Sequence, residues 1–184
     1  LLISWLIVLA TPGLCAEPSV QWPGLRPDGS MLLPNQWTLR PAGERVDLGD
    51  FPVNIAVHPN GTFAAVLHCG YSQHEVVMVN LAEGAIASRS DVPEAFYGIT
   101  FSRDGKKLYC SGASGEEVFV FDCAGGKLAN RRRLALRDAA EVGVPAGLAI
   151  DSSGQTLFAA NLWNDQVSRI NLRDSSVHEI VLAT

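Results

Sequence analysis

Two histidines bracket the segment His68-Cys69-Gly70-Tyr71-Ser72-Gln73-His74-Glu75. Imidazoles bind transition metals and act as general bases near neutral pH. His68 and His74, with Glu75 beside them, are therefore candidate ligands or a candidate acid–base pair. The same residues also suit a polar loop that bonds its own backbone, and their spacing alone does not separate the two uses. A second cluster is Asn161, Trp163, Asn164 and Asp165. An exposed indole flanked by amides can stack on a sugar or another flat ligand. The competing use is a tryptophan packed over a neighbouring element. His58 lies in a turn and reads as structural; His178 lies on an outer strand and reads as solvent-facing. Cys69, Cys110 and Cys123 lack any Cys-Xaa-Xaa-Cys spacing, so they define no zinc or haem-attachment motif. One disulfide among them is compatible with an oxidising compartment, with the pairing open. The sequence contains no Gly-Xaa-Ser-Xaa-Gly elbow, phosphate-binding loop, dinucleotide fingerprint or His-Glu-Xaa-Xaa-His. The reading assigns no catalytic residue, no metal and no cofactor. It leaves His68, His74, Asn161 and Trp163 as candidate binding residues.

The elements that must position these residues come from a segment present three times. Its copies are Asn54–Gly61, Tyr97–Gly105 and Ala146–Gly154, with the turn glycines 44 and then 49 residues apart. A self-similar period of about 40–50 residues marks a repeat architecture. Each copy continues with a short apolar strand, a polar loop, a second apolar strand, a turn and a more polar last strand. The second strands are Glu75–Asn80, Glu117–Asp122 and Gln166–Asn171. Asn60-Gly61 and Asp104-Gly105 predict type I′ hairpins, in which both central residues take positive φ; Ser153-Gly154 fits that turn less well. No sustained helical period follows residue 16.

The apolar pattern selects among β architectures. Val76-Val77-Met78-Val79 and Val118-Phe119-Val120-Phe121 are apolar at every position. Alternate side chains of a strand point to opposite faces, so both faces of these sheets must be covered. A β-propeller does this by packing each four-stranded blade between two others. The fold class is thus all-β: a partial β-propeller of about three four-stranded blades plus an N-terminal closing strand. The blades are expected near residues 52–92, 95–137 and 144–184, within a repeat region spanning 34–184. Glu44–Leu48 is expected to be the closing strand. The connections into each first strand and the loops between second and third strands should form one face. That face would carry the candidate residues.

The third copy, with Leu157–Asn161 and Val167–Asn171, resembles the YVTN-type β-propeller repeat. His58-Pro59-Asn60-Gly61 and Ser102-Arg103-Asp104-Gly105 resemble its turn. His68 and Gly112 stand where the third copy has Asn161, so the first two copies depart from the pattern. The resemblance implies an exported bacterial propeller, in some members followed by a phosphoesterase-like domain. It implies little about activity, because propellers host many functions.

Three units and one strand fall short of the four to eight blades of a ring, so the chain is expected to be the N-terminal part of a longer protein. Leu1–Ala10 followed by Thr11–Ala16 reads as the core and cleavage site of a secretory signal peptide at 1–16, with 17–33 a linker. Pro12 interrupts the apolar run, which is too short to span a bilayer, so no stable span is expected after cleavage. The expected location is periplasmic or extracellular. The net charge of −5 supplies no basic field for nucleic acid. Arg131-Arg132-Arg133 reads as a solvated outer strand. The resulting expectation is an exported scaffold that binds an unidentified protein or small molecule. The alternative is a lactonase- or other hydrolase-type enzyme with its site in the propeller channel, for which Asp91, Glu94 and Glu141 are the available carboxylates.

Overall fold

The computed structural model describes residues 21–138 and 140–183. The expected signal peptide at 1–16 lies outside the described residues. The chain divides at Gly43 into two compact units.

In the first unit, β1 (Gly24–Leu25), β2 (Met31–Leu32) and β3 (Thr38–Leu39) form an antiparallel meander. Its first turn is Pro27-Asp28-Gly29, where Asp28 accepts the Ser30 amide (3.0 Å) and hydroxyl (2.6 Å). The segment 17–33, expected as a linker, thus carries two short strands over its described part. A Pro-Asp-Gly turn is a strong reversal signal, and it closes a small hairpin there.

The second unit holds three four-stranded antiparallel sheets, each in simple sequential order. Blade 1 is β4 (Pro52–Val57), β5 (Phe63–His68), β6 (Glu75–Asn80) and β7 (Ala85–Asp91). Blade 2 is β8 (Ile99–Phe101), β9 (Lys107–Ser111), β10 (Glu117–Ala124) and β11 (Lys127–Ala135). Blade 3 is β12 (Pro145–Ile150), β13 (Thr156–Asn161), β14 (Gln166–Asn171) and β15 (Val177–Val181). The all-β propeller architecture stands. Val76–Val79 and Val118–Phe121 are buried along their whole length, as sheets covered on both faces require.

The faces sort by register. Ala65, Leu67, Val76 and Met78 of blade 1 pack against Leu108, Cys110, Phe119 and Phe121 of blade 2. Tyr109, Val118 and Val120 of blade 2 pack against Leu157, Ala159 and Ile170 of blade 3. Burying a side chain of this size stabilises by about 1.5–3 kcal/mol.

The first hairpin of each blade has a turn that differs from expectation. Only the glycine takes positive φ: Gly61 at 72°, Gly105 at 72° and Gly154 at 71°. Each glycine amide donates to the residue three before it, His58, Ser102 or Asp151. This is a type I turn followed by one left-handed residue, not type I′. The position before the glycine therefore needs no special φ, which is why Ser153 serves as well as Asn60 or Asp104.

Glu44–Leu48, expected as the closing strand, pairs with no other strand among the described residues. Val46 and Leu48 instead pack on Val66, Val77 and Val79, over the face of blade 1 that points away from blade 2. Arg89 holds the Leu48 carbonyl, and His68 Nδ1 lies 2.9 Å from the Asp50 carbonyl.

Candidate functional site

The two ends of the blades differ in chemistry. At the turn end, carboxylates close on nearby groups. Asp104 accepts from the Ser102 hydroxyl and the Lys106 amide, and Asp151 from Ser153, Gln155 and Thr156. The Ser153 hydroxyl and backbone amides hold the Asp151 carboxyl down to about 2. His58 Nε2 reaches the Gly105 carbonyl at 3.1 Å, and Arg103 reaches the Asp151 carbonyl at 3.1 Å, so the turns of blades 1 and 2 are each stapled to the next blade.

At the loop end, large apolar side chains face solvent. They are Phe51 and Tyr71 on blade 1, Phe96 and Tyr97 before blade 2, and Val142, Leu162 and Trp163 around blade 3. The same loops hold non-glycine residues at positive φ: Phe51 (44°), Ala113 (46°), Glu116 (51°), Val144 (56°) and Asp165 (51°). Such conformations cost of order 1–3 kcal/mol each and concentrate where the surroundings impose a functional shape. Val144 is the extreme case, because a β-branched residue resists the left-handed region.

Close backbone approaches bring these loops together. A Cβ on Gly70 would lie 2.5 Å from the Asp50 carboxylate and 2.8 Å from Phe51 Cβ, so glycine is what lets the two loops of blade 1 cross. A Cβ on Gly98 would lie 2.2 Å from the Ala146 carbonyl, where the innermost strands of blades 2 and 3 meet. Asn54 Nδ2 donates to the Tyr97 carbonyl (2.9 Å), and the Cys69 thiol to that of Phe96 (3.0 Å).

The two histidines do not share a site. His68 is 1% exposed and lies opposite Glu75, on the face under Gly49 and Asp50. Its Nε2 has no hydrogen-bond partner among the described residues. His74 turns toward blade 2, where its Nδ1 accepts the Ala95 amide at 2.9 Å. Glu75 is engaged by Arg89. Among the described residues no three His, Cys, Asp or Glu side chains come close enough to hold a metal. The described cysteines are free, and burial pushes the Cys110 thiol up to about 12.

Asn161 and Trp163 also part company. The Asn161 amide turns into the seam between blades 2 and 3 and donates to the Ser168 hydroxyl (3.0 Å). The Trp163 side chain is 69% exposed, while its amide donates to the Gly143 carbonyl at 3.0 Å.

The seam around Asn161 contains residues that sequence reasoning did not single out. Glu116, 1% exposed, accepts the Gly143 and Val144 amides through one carboxylate oxygen at 2.8 and 2.7 Å. Its other oxygen takes Arg137, whose side chain is 5% exposed. Arg137 also donates to the Ser168 hydroxyl and to Glu179, both at 2.8 Å. A carboxylate with three donors and a guanidinium with three acceptors meet the condition under which buried charge is tolerated. The network fixes the entry into blade 3 and holds Val144 in its unusual conformation. A faint sequence signal existed: Glu116-Glu117 directly precedes an apolar strand, where a second carboxylate has no obvious use. The Arg131–Arg133 run is fully engaged: by the Asp91 carbonyl and Phe119 ring, by Asp122, and by Glu117.

Among solved structures, the chain is similar to hydrazine synthase of Kuenenia stuttgartiensis, with 17% identity and a TM-score of 0.59, over 82% of this chain and 53% of that one. It is also similar to a luciferin-regenerating enzyme, with 17% identity and a TM-score of 0.59, over 70% of this chain and 45% of that one. At this identity the likeness concerns the fold. The chain spans about half the length of these structures. No curated protein matches it. The YVTN-type resemblance identified a related repeat; the family model that matches carries a different description and covers residues 54–184. The chain belongs to the family described as SMP-30/Gluconolactonase/LRE-like region.

Proposed function

We propose that these blades form part of an exported propeller whose loop end binds a ligand or protein partner. One observation carries this reading: exposed aromatic side chains and imposed positive-φ residues occur together at the loop end, while the turn end is closed by local polar bonds. Tyrosine and tryptophan supply rigid contact area at low entropic cost. The test is photo-crosslinked capture from a periplasmic extract, comparing wild type with the combined variant Phe51→Ser, Tyr71→Ser, Trp163→Ser. The expected result is loss of the captured species in the variant, with Lys106→Ala at the turn end unchanged. Equal capture by wild type and the loop variant would sink the reading. Export rests on residues 1–16 and is tested separately, by fusing them to a reporter active only outside the cytoplasm.

The family match supports a second reading, a lactonase-type hydrolase with its site in the channel. In such propellers, a calcium site would need several convergent oxygen ligands. The first strands of these blades present Asn54, Gly98 and Gly147 at the loop end, and both polar atoms of the Asn54 side chain are already bonded within the chain. Of the three carboxylates, Glu94 accepts the Ser114 hydroxyl and does not join Asp91 or Glu141 in a metal-holding group. These residues do not fit a calcium cage. Lactone hydrolysis by the 184-residue chain would replace the binding reading with the enzymatic one.

A further inference from the structure

Each of the two seams has a blade on both sides, so they can be compared position by position. On the blade 1 side of the first seam, register aligns Ala65, Met78 and Ser88, with Phe63 one pair further along. On the blade 2 side of the second seam, the same positions hold Tyr109, Val120 and Arg132, with Lys107 for Phe63. The opposing turn holds Gly126 in blade 2 and Ser175 in blade 3, both at positive φ (75° and 60°).

The first seam is closed at this place. A Cβ on Gly126 would lie 2.5 Å from the Phe63 ring, and the Gly126 carbonyl accepts the Ser88 hydroxyl at 2.7 Å. The second seam is open. A cavity of about 290 Å³ lies between blades 2 and 3, near the small end of ligand sites. Its lining includes Lys107, Tyr109, Arg132 and Ser175, with Val120, Leu134 and Leu172 supplying apolar surface. Tyr109 is 5% exposed, yet its hydroxyl has no hydrogen-bond partner among the described residues. Buried hydroxyls are ordinarily bonded. Burial and then the Asp104 carboxylate push the phenol up, so it is a donor at neutral pH. Lys107 and Arg132 share Asp122, while Arg133, also in the lining, meets Glu117. Three cations thus stand against two carboxylates. Arg132 approaches Asp122 only at 3.8 Å, beyond hydrogen-bond length, so its planar fork can still close on a second acceptor.

We propose that this cavity binds a small monocarboxylic acid with an apolar body. The carboxylate takes the Arg132 fork and the Tyr109 hydroxyl, and the body lies on Val120, Leu134 and Leu172. A single excess positive charge suits a monoanion better than a dianionic phosphate. The site shares no residue with the loop end, so either proposal can fail alone.

The test is calorimetric titration of the 184-residue chain with benzoate. Two further probes each lack one half of it: benzamide has no charge, and acetate has almost no body. Saturable benzoate binding is expected, with both other probes weaker by about tenfold or more. Arg132→Met should weaken benzoate about tenfold, and Arg132→Lys by less, because the charge stays but the fork is lost. Tyr109→Phe keeps the ring and removes the donor, and should weaken benzoate about fivefold. Lys127→Ala removes an exposed cation of the same strand outside the cavity and should bind as wild type. The proposal is overturned if benzoate does not saturate, or if benzamide or acetate binds as tightly. It is equally overturned if Arg132→Met binds like wild type, or if Lys127→Ala weakens binding as much as Arg132→Met.

Discussion

The two seams between blades are built from the same repeat and held by different physics. Between blades 1 and 2 the contact is dry, with Phe119 and Phe121 set against Leu67, Val76 and Met78. Between blades 2 and 3 a smaller apolar cluster is continued toward the loop end by Glu116, Arg137, Ser168, Asn161 and Glu179. Register makes the substitution explicit. Phe119 on the blade 2 face corresponds to Ser168 on the blade 3 face, lying opposite Cys110 and Ala159 respectively, each five residues after the turn glycine of its blade. Apolar contact is non-directional and fixes distance. Hydrogen-bonded charge is directional and fixes orientation. The second seam is where the long connection Leu136–Pro145 must be aimed, and that is where the directional device sits.

The largest effect should come from the dry seam. Phe119→Ala should destabilise by about 3–5 kcal/mol, read as a fall in the denaturation midpoint, because the cavity cannot collapse between two packed sheets. A loss under 1 kcal/mol would mean that the seam is not close-packed. Arg137→Ala should follow at about 3 kcal/mol, since it strands the buried Glu116 carboxylate. Glu116→Gln should cost less, about 1–3 kcal/mol, because the amide oxygen can still accept the Gly143 and Val144 amides while the ion pair is lost. Hydrogen exchange should speed up at those two amides more than in β6. Uniform exchange across both seams would mean that the two are held by the same forces. Ser168→Ala should cost about 1 kcal/mol.

The smallest effect lies at the turn end. The Ser153 hydroxyl and the neighbouring amides bring the Asp151 carboxyl down to about 2 from an ordinary value of 3.8. Its carboxyl is held low, so its contribution is present above about pH 4 and is lost as pH falls toward 2. Asp151→Asn should flatten that part of the acid limb in a pH series of melting temperatures and leave the limb above pH 5 unchanged.

The architecture was legible in the sequence because it is periodic. The repeated glycine turns and the strands apolar on both faces lead to stacked blades without any long-range information. The turn type was misread because Asn-Gly usually marks type I′, and only backbone geometry shows that one left-handed residue suffices. The network was not legible, because Glu116 and Arg137 are 21 residues apart and have no counterpart in the other two copies. The register explains why His68 and His74 separate: one covers the face under Asp50 and the other meets blade 2. The closing strand at Glu44–Leu48 is expected from its place directly before the first strand of blade 1, and Val46 and Leu48 do pack on that blade's free face.

The thiol of Cys69 gives the molecule a built-in handle for observation. It is partly accessible and donates to the Phe96 carbonyl, so it sits among the loop-end aromatics. Cys110 and Cys123 are buried, and the Cys110 thiolate is suppressed to about 12. A maleimide dye at limiting concentration should therefore label Cys69 first among the described cysteines. Its emission would report an arrival at the loop end.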